Sequence, residues 1–174
     1  YKGRVVFLGD RVRDAHGQAA VFEELSSSPA AMEASRFCDM HGLLPGHSTE
    51  AADGVQAYCQ AKLPSNKTWI RIPEDRRPPS WKNLPYRDPV VPLRLALYGH
   101  PDSGTYSEKH CDSHCREIGF VPIENWPSCY YMKRLDLFLT IYVDDFKLAG
   151  PEGNLAEGWR LIRGDADNDG GKGL

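Results

Sequence analysis

The sequence predicts an α+β fold built on an antiparallel sheet, and three observations carry that prediction. Leu137, Leu139, Ile141 and Val143 alternate with Asp136, Phe138, Thr140 and Tyr142, which is the period of a strand. After Asp144-Asp145 the apolar pattern resumes as Phe146-Lys147-Leu148-Ala149, so two strands meet at an acidic turn and make a hairpin. Helical stretches with start and stop residues lie elsewhere, and 13 Pro and 16 Gly among 174 residues call for many short elements rather than a helix bundle.

In chain order, Val5-Val6-Phe7-Leu8, flanked by basic residues and followed by Gly9-Asp10, reads as a strand and turn near a sheet edge. Ser28-Pro29 reads as a helix start, with a hydroxyl N-cap and proline at the first helical position. Met32, Arg36/Phe37 and Met40 follow at helical spacing and Gly42 stops the run, so a helix is expected from about Pro29 to His41. Glu50 to Leu63 is ambiguous by period. Pro64 to Pro92 holds seven prolines in 29 residues and is expected to be loop, with one short strand at Trp69-Ile70-Arg71-Ile72. Arg94 to Tyr98 leads into a Gly99–Gly104 turn, and a helix from about Thr105 to Ile118 closes at Gly119. Cys129 to Met132 reads as a strand, Lys133-Arg134 begins a turn, and Leu155 to Ile162 reads as a helix. The Gly/Asp-rich stretch from 163 to 174 is expected to be a flexible tail, behind one domain over 1–162.

The net charge of -3 does not suggest a nucleic-acid binder as a whole. The average hides a gradient: eight Lys/Arg against three Asp/Glu from Lys62 to Arg94, then four against seven from Asp144 onward. Such a basic middle suits phosphate contacts on one surface. No apolar run approaches the ~20 residues of a membrane helix, so no membrane partner is expected. Five cysteines, an odd number without a secretion signal, favour reduced thiols and an intracellular setting, cytoplasmic or nuclear. Tyr1 at the start makes the chain a fragment or processed product by expectation.

Three clusters offer chemistry. Asp144-Asp145 sets like charges side by side on an apolar hairpin, an arrangement that an oxygen-seeking cation such as Mg²⁺ relieves, and that turn preference alone also explains. His110-Cys111-Asp112-Ser113-His114-Cys115 places zinc-type ligands at helical neighbour positions, although a closed site from one helical turn is awkward and a Cys-x-x-Cys pair is missing. Asp165-Ala166-Asp167-Asn168-Asp169-Gly170 matches the first half of a calcium loop, then departs from it at Lys172. Serine or cysteine nucleophile chemistry has no local signature.

The residues around Asp144 carry a resemblance. Leu139-Thr140-Ile141, Tyr142-Val143-Asp144-Asp145 and Phe146-Lys147-Leu148-Ala149-Gly150 together resemble the catalytic hairpin of Copia-type retrotransposon reverse transcriptases. Upstream, Asp53-Gly54-Val55-Gln56-Ala57-Tyr58-Cys59-Gln60-Ala61-Lys62-Leu63 is similar to that family's Asp-Val-x-x-Ala-aromatic segment, with Gly54 in place of the Val. Trp69-Ile70-Arg71-Ile72-Pro73, Leu93-Arg94-Leu95-Ala96-Leu97-Tyr98-Gly99, then Glu108-Lys109, Gly119-Phe120 and Ser128-Cys129-Tyr130 follow in the family's order. Tyr1-Lys2-Gly3-Arg4-Val5-Val6 is similar to the basic strand at its fingers. The turn after Tyr98-Gly99 departs from the pattern: it is His100-Pro101-Asp102-Ser103-Gly104, with Asp102 where a nucleotide-contacting Gln is expected.

The resemblance implies a palm-like antiparallel sheet with helices packed on one face, plus part of a fingers region. It implies an RNA-directed DNA polymerase in which Asp53, Asp144 and Asp145 are catalytic and hold two Mg²⁺ (or Mn²⁺) for attack of a primer 3′-hydroxyl on a dNTP. Tyr58 would pack under the sugar and exclude a 2′-hydroxyl, and Lys2 and Arg4 would touch triphosphate or template phosphates. The implied partners are a primer-template and the rest of a Pol polyprotein. The 174 residues leave no room for a thumb or an RNase H domain, so the isolated chain is expected to be inactive. The alternative is a degenerate, retroelement-derived binding module without enzymatic activity, with zinc at His110 to Cys115.

Overall fold

The computed structural model describes residues 5–14, 16–20, 27–63, 68–83, 85–164 and 174. Lys2, Arg4, the calcium-loop-like Asp165 to Gly170 and most of the expected tail lie outside the described residues. Among the described residues the elements run α1 (Met32–Gly42), β1 (His47–Asp53), α2 (Ala57–Gln60), β2 (Trp69–Arg71), β3 (Val90–Pro92), α3 (Ser103–Glu117), β4 (Val121–Pro122), β5 (Cys129–Met132), β6 (Leu137–Tyr142), β7 (Asp145–Pro151) and α4 (Glu152–Arg163). Five strands form one antiparallel sheet in the order β1-β7-β6-β5-β4, and β2 pairs with β3 in a separate two-stranded ribbon. The fold is α+β.

The sheet is covered on both faces, which corrects the expectation of helices on one. Leu137, Leu139 and Ile141 of β6 join Phe146 and Leu148 of β7, and this side packs against Cys111 and Cys115 of α3 and Leu155, Trp159 and Ile162 of α4. Phe138, Ala149 and Cys129 point the other way and meet Ala30 and, on α1, Ala34 and Cys38. Every residue from Leu137 to Ile141 is therefore buried. A strand enclosed on both sides is apolar along its whole length, and Leu137-Phe138-Leu139-Thr140-Ile141 has that composition.

The face α1 buries differs from the one its large residues suggest. Met32 and Met40 are 66% and 65% exposed, whereas Ala34 and Cys38, four apart, are 2% and 0%. Small side chains let the helix axis come close to the sheet, and Lys147 ties it down, its Nζ 2.6 Å from Asp39 Oδ1 and 3.1 Å from Ser35 Oγ. The helix also begins later than Ser28-Pro29 predicts. Ser28 N donates to Glu108 Oε2 (2.7 Å), Ser28 O accepts from Ser128 Oγ (2.8 Å), and Ala30 N donates to Ile141 O (3.0 Å), so this segment is spent tying α3 to the end of β6.

Val5 to Leu8 forms no strand, a second correction. Val5 and Leu8 are exposed, and the segment is held by Phe7 N donating to Tyr98 O at 2.7 Å and by the Phe7 ring against His100. An apolar run without a neighbouring strand to pair with has no sheet to join. The ambiguous stretch resolves into β1, an edge strand, followed by a turn and the single helical turn α2. The proline-rich segment contributes β2 within the expected Trp69–Ile72, and also β3. α3 and α4 fall where their patterns place them; α3 starts two residues early and ends one early, and α4 is extended by three residues at its start and one at its end.

Candidate functional site

The β1–β7 register decides where the predicted site residues go. Asp53 is the last residue of β1 and Asp145 the first of β7, and the two are directly paired across the strands. Asp144 occupies the two-residue loop between β6 and β7, and its carbonyl accepts a hydrogen bond from Gly54 N at 2.6 Å. Asp53 and Asp144, distant along the chain, are thus brought to one end of the sheet. Gly54 allows the approach: a Cβ there would stand 3.1 Å from the Phe146 ring and 3.3 Å from Ala57 Cβ.

The electrostatics follow the geometry. The Asp145 carboxyl is pushed above the ordinary range by desolvation, then by the charges of Asp144 and Asp53 and a hydrogen bond with Asp53. A bound cation would relieve the repulsion that the Asp144 and Asp53 charges exert on the Asp145 carboxyl. Oxygen-only donors suit a hard divalent ion. By donor chemistry alone, Asp53, Asp144 and Asp145 would suit Mg²⁺. The three do not meet the spacing at which ligand atoms all lie within 4.8 Å of one another; among the described residues the group that does is His41, His47 and Asp136, discussed below.

The loop itself is strained. Val143 has φ 60°, a left-handed conformation that a β-branched side chain adopts only when its surroundings force it. A positive φ at the first of two loop residues matches the twist of the flanking strands, which is why glycine usually sits there. Here a valine holds Asp144 at the tip instead.

Tyr58 lies beside this end. After Asp53 the chain turns through Gln56 at φ 54°, with Gln60 Nε2 donating to Val55 O at 2.8 Å, and α2 places the half-buried Tyr58 ring edge-on against Tyr98 at 4.5 Å. Burial raises the Tyr58 phenol first, and the Asp144 charge next. Tyr58 and Val143 line one wall of a narrow cleft of about 30 Å³ with Ser107, Glu108 and Tyr130. Asp102 stands at the N-terminal end of α3; its N–H donates to His100 Nδ1 at 3.2 Å, and burial holds the His100 imidazole below its ordinary range, an effect the Asp102 charge offsets only in part.

The cysteine- and histidine-bearing helix does different work. Cys111 and Cys115 point into the core at 6% and 0% exposure, and burial pushes the Cys111 thiol up to about 11 and Cys115 higher still. His114 Nε2 contacts Ile162 O at 2.9 Å and Leu161 O at 3.3 Å, joining α3 to the last turn of α4. These side chains are engaged in packing and capping. All five cysteines are free thiols, and among the described residues no helix is long and apolar enough to cross a membrane.

What fold and site define together is an α+β chain whose antiparallel sheet carries three aspartates at one end of a strand pair. No protein-family model matches the chain, and neither the curated proteins nor the solved structures yield a match.

Proposed function

We propose that the chain is the palm-bearing part of a Copia-type reverse transcriptase, an RNA-directed DNA polymerase acting on a primer-template and dNTPs within a Pol polyprotein. The observation that carries the reading is the pairing of Asp53 with Asp145 beside Asp144. Acidic groups from separate strands, gathered at one end of a sheet, would suit metal-assisted phosphoryl transfer, and this register supports that reading. Mg²⁺, when bound, supplies the positive charge that favours attack of the primer hydroxyl and departure of pyrophosphate.

The chain's own residues supply the positioning. Asp53 and Asp145 hold their carboxylates opposite one another, and the Gly54–Asp144 hydrogen bond fixes the hairpin tip against β1. Tyr58, braced edge-on by Tyr98, would pack under the incoming sugar. The Asp102 carboxylate, at the start of α3 and beside His100, adds an anion that a triphosphate must avoid.

Mn²⁺ titration followed by electron paramagnetic resonance, with a dNTP present, tests the reading. Binding is expected to be lost in Asp53→Asn and in Asp144→Asn; binding indifferent to both substitutions sinks the proposal. Primer extension by the isolated chain is expected to fail. Asp144-dependent extension would overturn that expectation of inactivity.

A further inference from the structure

The opposite end of the β1–β7 pair carries a second cluster, which nucleotidyl transfer does not use. His41 lies in the last turn of α1, His47 is the first residue of β1, and Asp136 sits in the turn between β5 and β6. His41 Nε2 is 3.7 Å from Asp136 Oδ1, His47 Nε2 is 3.8 Å from Asp136 Oδ2, and one ligand atom from each residue lies within 4.8 Å of the others. We propose that these three side chains form a binding site for a zinc-class divalent ion, through the two Nε2 atoms and the carboxylate, with the fourth position open to solvent.

Hydrogen bonding around the cluster sets its donors up for an ion. His47 Nδ1 lies 3.1 Å from the carbonyl of His41. A carbonyl only accepts, so Nδ1 carries the proton, and in the neutral ring the Nε2 lone pair faces Asp136. Fixing the imidazole through its distal nitrogen on a carbonyl is the arrangement metal-bound histidines commonly have. His41 Nε2 lies 3.3 Å from the Asp136 carbonyl, a long hydrogen bond that an ion at this nitrogen would have to displace. The carboxylate is oriented in turn by the Tyr131 hydroxyl, which donates to Oδ1 at 2.6 Å.

The backbone converges on the same point. Asp136 has φ 53°, a conformation Asp tolerates better than most residues, and it swings the carboxylate toward both rings. Gly42 ends α1 where any Cβ would overlap Thr49 Oγ1, so the helix end can lie against β1 and bring His41 beside His47, the rings edge to face at 4.9 Å. The imidazole side chains are only 14% and 13% exposed while Asp136 is 45%, so the site is shielded on the protein side and open on the other.

Chemistry selects the ion. Two imidazoles and one carboxylate suit zinc and its neighbours, whereas Mg²⁺ and Ca²⁺ prefer all-oxygen sites. With bonds of ~2.0–2.1 Å, tetrahedral ligands stand ~3.4 Å apart, so the three ligand atoms, now within 4.8 Å of one another, draw closer when the ion binds. The bound ion would join α1, β1 and the β5–β6 turn.

Calorimetric titration of the metal-free chain with Zn²⁺ tests the proposal, with the absorption spectrum of the Co²⁺ form as a second readout. One equivalent is expected to bind, with a tetrahedral-type Co²⁺ spectrum and affinity that weakens as pH falls because protons compete for the imidazoles. His47→Ala and Asp136→Asn are expected to lower affinity roughly tenfold or more; Asn tolerates the left-handed backbone at 136, so that variant keeps the fold if His47→Ala does not. Asp53→Asn is expected to leave zinc binding unchanged. Zinc affinity equal in the parent and Asp136→Asn chains, or lost in Asp53→Asn, overturns the assignment, and neither result bears on Mn²⁺ binding at the aspartates.

Discussion

The two ends of the β1–β7 strand pair differ in donor chemistry and in how the backbone holds the donors. At one end three carboxylates gather around the Asp53–Asp145 pair; at the other two imidazoles and one carboxylate gather beside the His47–Pro151 pair. Six residue steps of about 3.4 Å put them roughly 20 Å apart. Each end depends on a non-glycine residue in a left-handed conformation. Asp136 accepts φ 53° at little cost, but Val143 at φ 60° carries strain, since its branched side chain crowds the backbone. The acidic end is thus strained and its charges repel, while the histidine end is shielded and braced by hydrogen bonds from Tyr131 to the Asp136 carboxylate and between His47 and the His41 carbonyl. One ladder can present hard oxygen donors at one end and nitrogen donors at the other because each end is finished by a different turn.

The strongest way to break the comparison is to remove what the ends share. Leu139 pairs with Leu148 in mid-sheet, and both are fully buried. Leu139→Ala is expected to cost about 2–5 kcal/mol, from lost burial and the cavity left behind. Urea unfolding measures it, and metal binding at both ends should fail over the same denaturant range. If one end outlives the other, the two do not ride on a single cooperative sheet.

A substitution at the strained end sharpens the contrast. Val143→Gly removes the left-handed penalty but adds freedom to the unfolded chain, so a net gain of up to about 1 kcal/mol is expected. Thermal unfolding should show a higher midpoint, with Mn²⁺ binding weakened because the tip no longer holds Asp144 in one place. A lower midpoint would mean that Val143 contributes more through packing than it costs in conformation.

Much of this was readable in the sequence where local pattern and tertiary role agree. The β6–β7 hairpin, α3 with its Gly119 stop and the strand at Trp69 follow from period and turn residues alone. The aspartates were visible as a motif, but their pairing depends on β1, whose His47-Ser48-Thr49-Glu50-Ala51-Ala52-Asp53 has little strand character because it is a half-solvated edge. The second cover on the sheet was legible in principle from the unbroken apolar run of β6, yet period-two alternation invites a one-faced reading. At α1 the large residues Met32 and Met40 masked the small ones that pack. The His41–His47–Asp136 cluster had no usable signal: its members are six and 89 residues apart along the chain, and only the folded turn after β5 brings the third to the other two.

The subtlest test concerns charge at the acidic end. Asp145 has its carboxyl raised in the folded state, so the fold binds that proton more tightly than the unfolded chain does. Its contribution is fully present below the ordinary aspartate range, near 3.8, and is lost as pH rises through the elevated folded value. Asp145→Asn keeps the position neutral at every pH. At neutral pH the variant should therefore be more stable than the parent, by less than about 1 kcal/mol because Asp145 is exposed and water screens the repulsion. The gap should shrink on acidification, as the parent takes up its proton, and also with added salt. Mg²⁺ should raise the parent's stability and leave the variant's nearly unchanged, since an ion held by all three carboxylates loses a ligand. A variant no more stable than the parent at neutral pH would mean that the Asp53–Asp145 contact is not repulsive, and the acidic end would need no cation to balance it.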